Sequence, residues 1–242
     1  MYASTHRDAK ETQRLARTTG LLYLVVFVLG MFSPIVLEQL LVAGDAAGTA
    51  DNILGSMGLF SSSLVSWVVI VAVDVAMAAM FYLLLEPASR VLSLVSAAFR
   101  FVYAAILGTF LLDLFGAFLL LARPEHAAHL EALERQATAL TALETFSAGF
   151  LLALAFFGVH LASLGVLLYR SRYVPRALGA VLAVAGVGYV AHSLASFFVT
   201  SYGGVATAVL LTPAVVGELG LALWLLIKGL RIDAGAVTVG SA

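Results

Sequence analysis

VATAVLLTPAVVGELGLALWLLIKG, residues 205–229, holds in one stretch most of what decides the architecture. Residues 205–227 form an apolar run closed by the basic Lys228. A helix rises about 1.5 Å per residue, so such a run crosses a hydrocarbon core about 30 Å thick. The run also carries a proline, Pro213, and a single carboxylate, Glu218, ten residues before Lys228. Working outward, five more runs of this kind precede it, at 19–42, 59–85, 101–122, 146–169 and 177–199. The expected fold class is therefore all-α, an integral membrane six-helix bundle.

Composition agrees. Of 242 residues, 62% are hydrophobic and only 11% charged. A soluble domain needs about a quarter charged residues to cover its surface, and a disordered chain needs low hydrophobicity. The lipid bilayer is thus the first partner implied. The 13 Lys and Arg against 14 Asp and Glu exclude a polybasic nucleic-acid binder. The absence of cysteine excludes disulfides, thiolate zinc, iron–sulfur clusters and a cysteine nucleophile. Neither a GxxxxGK[ST] phosphate loop nor an HExxH zinc motif occurs.

The basic residues orient the spans. With the N-terminus inside, Arg7, Lys10, Arg14, Arg17, Arg90, Arg170, Arg172, Arg176, Lys228 and Arg231 are cytoplasmic, and only Arg123 and Arg135 lie outside. Both termini are expected in the cytoplasm. Residues 1–17 read as a cytoplasmic tail rather than a cleavable signal, 18–230 as the membrane domain and 231–242 as a C-terminal tail. Between spans three and four, residues 123–145 place Leu130, Leu133, Ala137 and Leu140 at helical spacing among charged residues. This predicts a separate amphipathic surface helix on the outer side. Its His126 and His129, beside Glu125, read as solvated positions rather than a metal site. The connection after span one, GDAAGTADNILGSMG, reads as a polar, Gly-rich segment, and the others, EPASR, RSRYVPR and TSYGG, are short.

Ionisable groups inside a bilayer cost at least about 2.5–3.5 kcal/mol each and mark function by default. Asp74 stands 12 residues before Glu86, His160 ten before Arg170, and Glu218 ten before Lys228. All three therefore sit roughly 15–18 Å from the inner interface, near the midplane. Asp113 lies about 20 Å along its span and His192 about 24 Å, nearer the outside. These groups can relay protons, bind a cation or hydroxylated ligand, or simply hydrogen-bond the helices together. Arg100 has two positions open. If span three starts at Phe101, Arg100 snorkels to the inner headgroups, which is the favoured reading; if it starts near Val91, Arg100 is buried and can pair with Asp74. The expected ligand- or proton-binding set is Asp74, Asp113, His160, Glu218, Arg100 and His192. Pro34 and Pro213 can kink spans one and six, and the second kink is expected to open a cavity beside Glu218.

A weak repeat accompanies this pattern. His160-LASLGVLLY-Arg170 and Glu218-LGLALWLLI-Lys228 share their spacing, and Asp74-VAMAAMFYLLL-Glu86 follows loosely. Arg17-TT-Gly20 and Arg176-AL-Gly179 match at the starts of spans one and five, with Arg100 in the corresponding place. Three tandem hairpins, each second helix giving one midplane group, are expected.

The runs GLLYLVVFVLG (20–30), GDAAGTADNILGS (44–56), GVHLASLGVLLYRSRYVPRALGAVLAVAGVGYVAHSL (158–194) and VGELGLALWLLIKG (216–229) resemble the membrane proteins grouped as domain of unknown function 4386. The resemblance spans about residues 14–230. It implies a bacterial inner-membrane protein with this span pattern, and transfers no activity or catalytic residue.

Three functions follow. The first is binding or transport of a proton, cation or small polar ligand at the midplane Asp/His/Glu site, with a homo-oligomer where six spans are too few for a transporter. The second is a non-catalytic structural or accessory protein. The third is a metal-dependent lipid hydrolase, with zinc or another divalent metal on Asp74, His160 and Glu218. No catalytic residue and no cofactor is predicted outside that last reading.

Overall fold

A computed structural model describes residues 9–231. Helix α1 runs Ala9–Leu40, α2 Ala46–Gly55, α3 Met57–Leu85 and α4 Arg90–Ala122; a single 3-10 turn, Pro124–Ala127, leads to α5 Ala132–Ser171, α6 Arg176–Phe198 and α7 Val205–Ile227. Six of these, all but α2, are long and apolar enough to cross a bilayer. Among the described residues there is no strand.

The six long helices form a closed ring. Each packs against its neighbours in the chain, and α7 closes on α1. The outer surface is apolar: Val65, Leu112, Val187 and Ile227 are each at least 60% exposed. A monomer does not expose such a belt to water, so these side chains face lipid. The ends of the described chain meet on one face, where Gln13 Nε2 donates to the Leu230 carbonyl at 2.6 Å. That face also carries Arg90, Arg170, Arg172, Arg176 and Lys228, at or next to the ends of the long helices.

Small residues set how closely the ring can draw together. A Cβ at Gly158 of α5 would stand 2.6 Å from the Gly186 carbonyl of α6, and one at Gly179 would stand 2.6 Å from the Tyr169 amide. Backbones approach at this seam in the way small-residue motifs allow in membranes.

Three expectations are corrected. Span three begins not at Phe101 but at Arg90, capped by the Ser89 side chain, which accepts from the Leu92 amide. Arg100 is thus ten residues into the helix and fully buried rather than snorkelling. The amphipathic segment 123–145 is not a separate surface helix. From Ala132 it is continuous with span four in a 40-residue helix opened by a Glu131/Glu134 capping box. At about 1.5 Å per residue that helix is far longer than the hydrocarbon core, so its first turns stand outside it. The surface helix is instead α2, in the polar, Gly-rich connection after span one. Asp45 caps it by accepting from the Gly48 amide at 2.9 Å, and its buried Thr49, Ala50 and Ile53 form one face against α5.

Residues 9–17, read as tail, are the first turns of α1, while 1–8 and 232–242 lie outside the described residues. In the expected repeat, Arg90, not Arg100, stands at the start of the middle helix that corresponds to the starts at Arg17 and Arg176. Three residues on from Arg17, Arg90 and Arg176, the residues Gly20, Ser93 and Gly179 each pack against the preceding helix of the ring, close to Ala222, Tyr82 and Tyr169.

Candidate functional site

The ring brings one cluster together at its centre, built by all six spans. Asp74 comes from α3, Ser96 and Arg100 from α4, His160 from α5 and Glu218 from α7, with Tyr23 from α1 and Tyr189 from α6. On α4 the buried positions Ser93, Ser96, Arg100, Tyr103 and Leu107 recur every three or four residues, so the helix turns one polar stripe inward. Ser96 and Arg100, one turn apart, therefore reach the same neighbours.

Arg100 organises the first half. Its Nε donates to Asp74 Oδ1 at 2.9 Å, and Nη2 donates to the same oxygen. Nη1 lies 2.9 Å from His160 Nε2. On the other side of that ring, Nδ1 lies 2.9 Å from the Ser96 backbone oxygen, which only accepts. Nδ1 therefore carries the ring proton, and Nε2 accepts from the guanidinium; this tautomer is assigned from the bonding pattern. His160 is neutral in this arrangement. The guanidinium also sits 5.3 Å from the ring centre of Tyr23, 5.7 Å from that of Phe81 and 5.4 Å from that of Phe157, at cation–π range. Arg100, Asp74 and His160 are all 0% exposed. Asp74 Oδ2 has no hydrogen-bond partner.

Glu218 forms the second half. Tyr189 donates its hydroxyl to Oε1 at 2.8 Å, and Tyr23 donates to Oε2 at 3.2 Å. No ion pair reaches this carboxylate among the described residues. Were both carboxylates ionised, the single guanidinium would leave the cluster one positive charge short. Glu218 also borders a cavity of about 90 Å³, walled by the rings of Trp67, Tyr103, Phe157 and Tyr189. The indole Nε1 of Trp67 is buried without a partner. Trp67 and Phe150 are shared with a second pocket of about 540 Å³ at the face opposite the chain ends, beside Glu38, His192 and Tyr202.

The sequence matches the family described as "Domain of unknown function (DUF4386)" over residues 18–229. The chain belongs to this family. It is similar to an "Uncharacterized protein" from Archaeoglobus fulgidus, 32% identical over 171 residues, which cover 71% of this chain and 86% of the relative. No solved structure matches. The DUF4386 chain is thus a multi-pass membrane protein, and the cluster has to be read from its own chemistry.

Of the six candidate residues, Asp74, Arg100, His160 and Glu218 meet. Asp113 and His192 do not. Asp113 is half-buried on α4, 13 residues beyond Arg100. His192 is bound up with Tyr202, whose hydroxyl lies 2.6 Å from its Nδ1, in the far pocket. The zinc set is not assembled either: among the described residues no three His, Asp or Glu groups are arranged to hold a metal ion. Arg100 contributes to this, because its donors are spent on Asp74 Oδ1 and on the His160 Nε2 lone pair, and its own positive charge sits between the two. His126 and His129 are exposed, with His126 Nδ1 3.9 Å from Glu125. Pro213 faces a separate apolar groove between α6 and α7, so the Glu218 cavity does not owe its walls to that proline.

Sequence reasoning missed Tyr23, Tyr189, Ser96, Tyr103 and Trp67. A usable signal existed. Tyrosine and tryptophan favour the ends of spans, where the polar tip reaches water. Tyr103 and Tyr189 lie well inside α4 and α6, so their hydroxyls need partners within the bundle.

Proposed function

We propose that this DUF4386 protein binds a proton or a small cation at Glu218, within a cytoplasmic membrane of the cell, and serves to carry that charge between the far pocket and the bundle centre. The observation that supports the reading is the missing positive charge. Arg100 is used up on Asp74, and Glu218 has only two neutral hydroxyls. An ionised carboxylate held this way in a bilayer is costly, and a proton or cation removes the cost. The second supporting observation is proximity: Trp67 and Phe150 line both the cavity at Glu218 and the far pocket. The positive-inside pattern places that pocket on the outer side. Asp74, Arg100 and His160 then act as a fixed frame, with the tyrosines presenting the carboxylate.

Infrared difference spectroscopy on the protein in lipid tests the reading. Changing pH or adding an alkali cation should alter a carboxyl C=O band that is missing in Glu218→Gln. A spectrum insensitive to both additions, or identical in the variant, overturns it.

A further inference from the structure

The walls around Glu218 point to the kind of cation. We infer that the Glu218 cavity is a binding site for an organic ammonium ion, an alkylated amine head received by the carboxylate and the surrounding aromatic faces. The inference rests on the charge argument for Glu218 and narrows it to one chemical class.

Three observations carry it. First, a site for a bare alkali ion needs several oxygen ligands around it. The residues that line the cavity include Glu218 and its hydroxyl donor Tyr189, and most of the others are aromatic or aliphatic. Aromatic rings around one carboxylate suit a large, weakly hydrated cation, because ring faces attract it without having to replace a tight water shell. Second, the space fits. About 90 Å³ holds several water-sized groups, more than one proton or one small ion needs. Third, the cavity is apolar at its rim. Met31 and Val215, 44% and 41% exposed, border it on α1 and α7 and face outward toward lipid. Between them Gly30 lines the cavity, and a Cβ there meets no atom within 4 Å. An ammonium head can thus sit at Glu218 while its alkyl part extends past Met31 and Val215. The unpartnered Trp67 Nε1, buried at the same cavity, provides a donor for a polar substituent.

The chain has two tryptophans, so a Trp224→Phe background makes Trp67 the sole indole reporter of this cavity. The full-length protein in lipid nanodiscs is titrated with tetramethylammonium, with sodium, with acid, and with neopentyl alcohol as a neutral group of similar shape. Tetramethylammonium should give a saturable fluorescence change that the alcohol does not. Glu218→Gln should abolish it, and Tyr103→Leu should weaken it about ten-fold. Gly30→Leu adds a side chain at a position that lines the cavity and removes a helix-interior glycine, so it should fold at least as well and yet weaken the response. An equal response to the alcohol, or an undiminished response in Gly30→Leu, overturns the inference. A Glu218-dependent response to sodium or protons but none to tetramethylammonium also overturns it, while leaving cation binding at Glu218 intact. No Glu218-dependent response to any of the three cations overturns both.

Discussion

Arg100 and Glu218 are both ionisable side chains buried in the centre of the same ring, yet their surroundings differ. The guanidinium has an anion, an imidazole acceptor and three ring faces. The carboxylate has two hydroxyl donors and an open cavity, and no cation. In the first half of the cluster the charges are paired, Arg100 against Asp74 with His160 as a neutral acceptor, and only Asp74 Oδ2 is left without a hydrogen bond. The second half is unfinished. Finding ionisable residues in membrane spans does not separate structure from function; the separation comes from whether the charges around each one add to zero.

The largest expected effect comes from breaking the paired half. Arg100→Leu leaves Asp74 buried with no counter-charge and should cost about 3–5 kcal/mol of stability. Adding Asp74→Leu to the same chain should recover much of that loss, because the uncompensated charge goes too. Thermal unfolding of the purified protein in detergent measures both; a double variant as unstable as the single one would break the comparison. Next comes a steric lesion away from the charges. Gly165→Leu drives a side chain into the α5–α6 seam and should cost about 1–3 kcal/mol, while the Glu218 carboxyl band stays in the infrared spectrum. Loss of that band would mean that the open half depends on seam packing as much as on its own hydroxyls. Glu218→Gln should change stability by less than about 1 kcal/mol, since the amide oxygen still accepts from a tyrosine and no ion pair is lost. A loss near that of Arg100→Leu would show Glu218 to be part of the frame. Smallest is Ser96→Ala, at about 0.6 kcal/mol, the usual worth of one interhelical side-chain hydrogen bond in a membrane. Its backbone oxygen, which fixes the His160 tautomer, is untouched.

How legible each part was follows from the range of the forces involved. Span existence is a local sum over about 20 residues, and all six runs were readable as such. Helix ends depend on caps and packing. An arginine inside VLSLVSAAFRFVYAAI looks locally like the end of a span, because a hydropathy window prices it as though it faced lipid. Its face could have corrected this: Ser93, Ser96, Arg100 and Tyr103 share one side of the helix, which made Arg100 an inward residue paired across the ring. Helix α2 was hidden for a similar reason. Its glycines read as breakers, while the Asp45 cap and the packing of Ile53 on α5 override them. Depth along each span put Asp74, His160 and Glu218 at one level and Asp113 and His192 nearer the outside. Depth is one coordinate, though, and which groups face one another depends on rotation about each helix axis.

The sequence alone determined that the chain enters lipid, how many times it is able to cross, and which of its charges have to be buried somewhere. Those are properties of transfer from water to hydrocarbon, additive along a segment and independent of what lies beside it. Only the tertiary structure decided that Arg100 belongs to Asp74, that His160 is its neutral acceptor and that Glu218 is left without a cation. Charge pairing is a short-range matter of a few ångströms between helices far apart in sequence, so it exists only once the ring has closed.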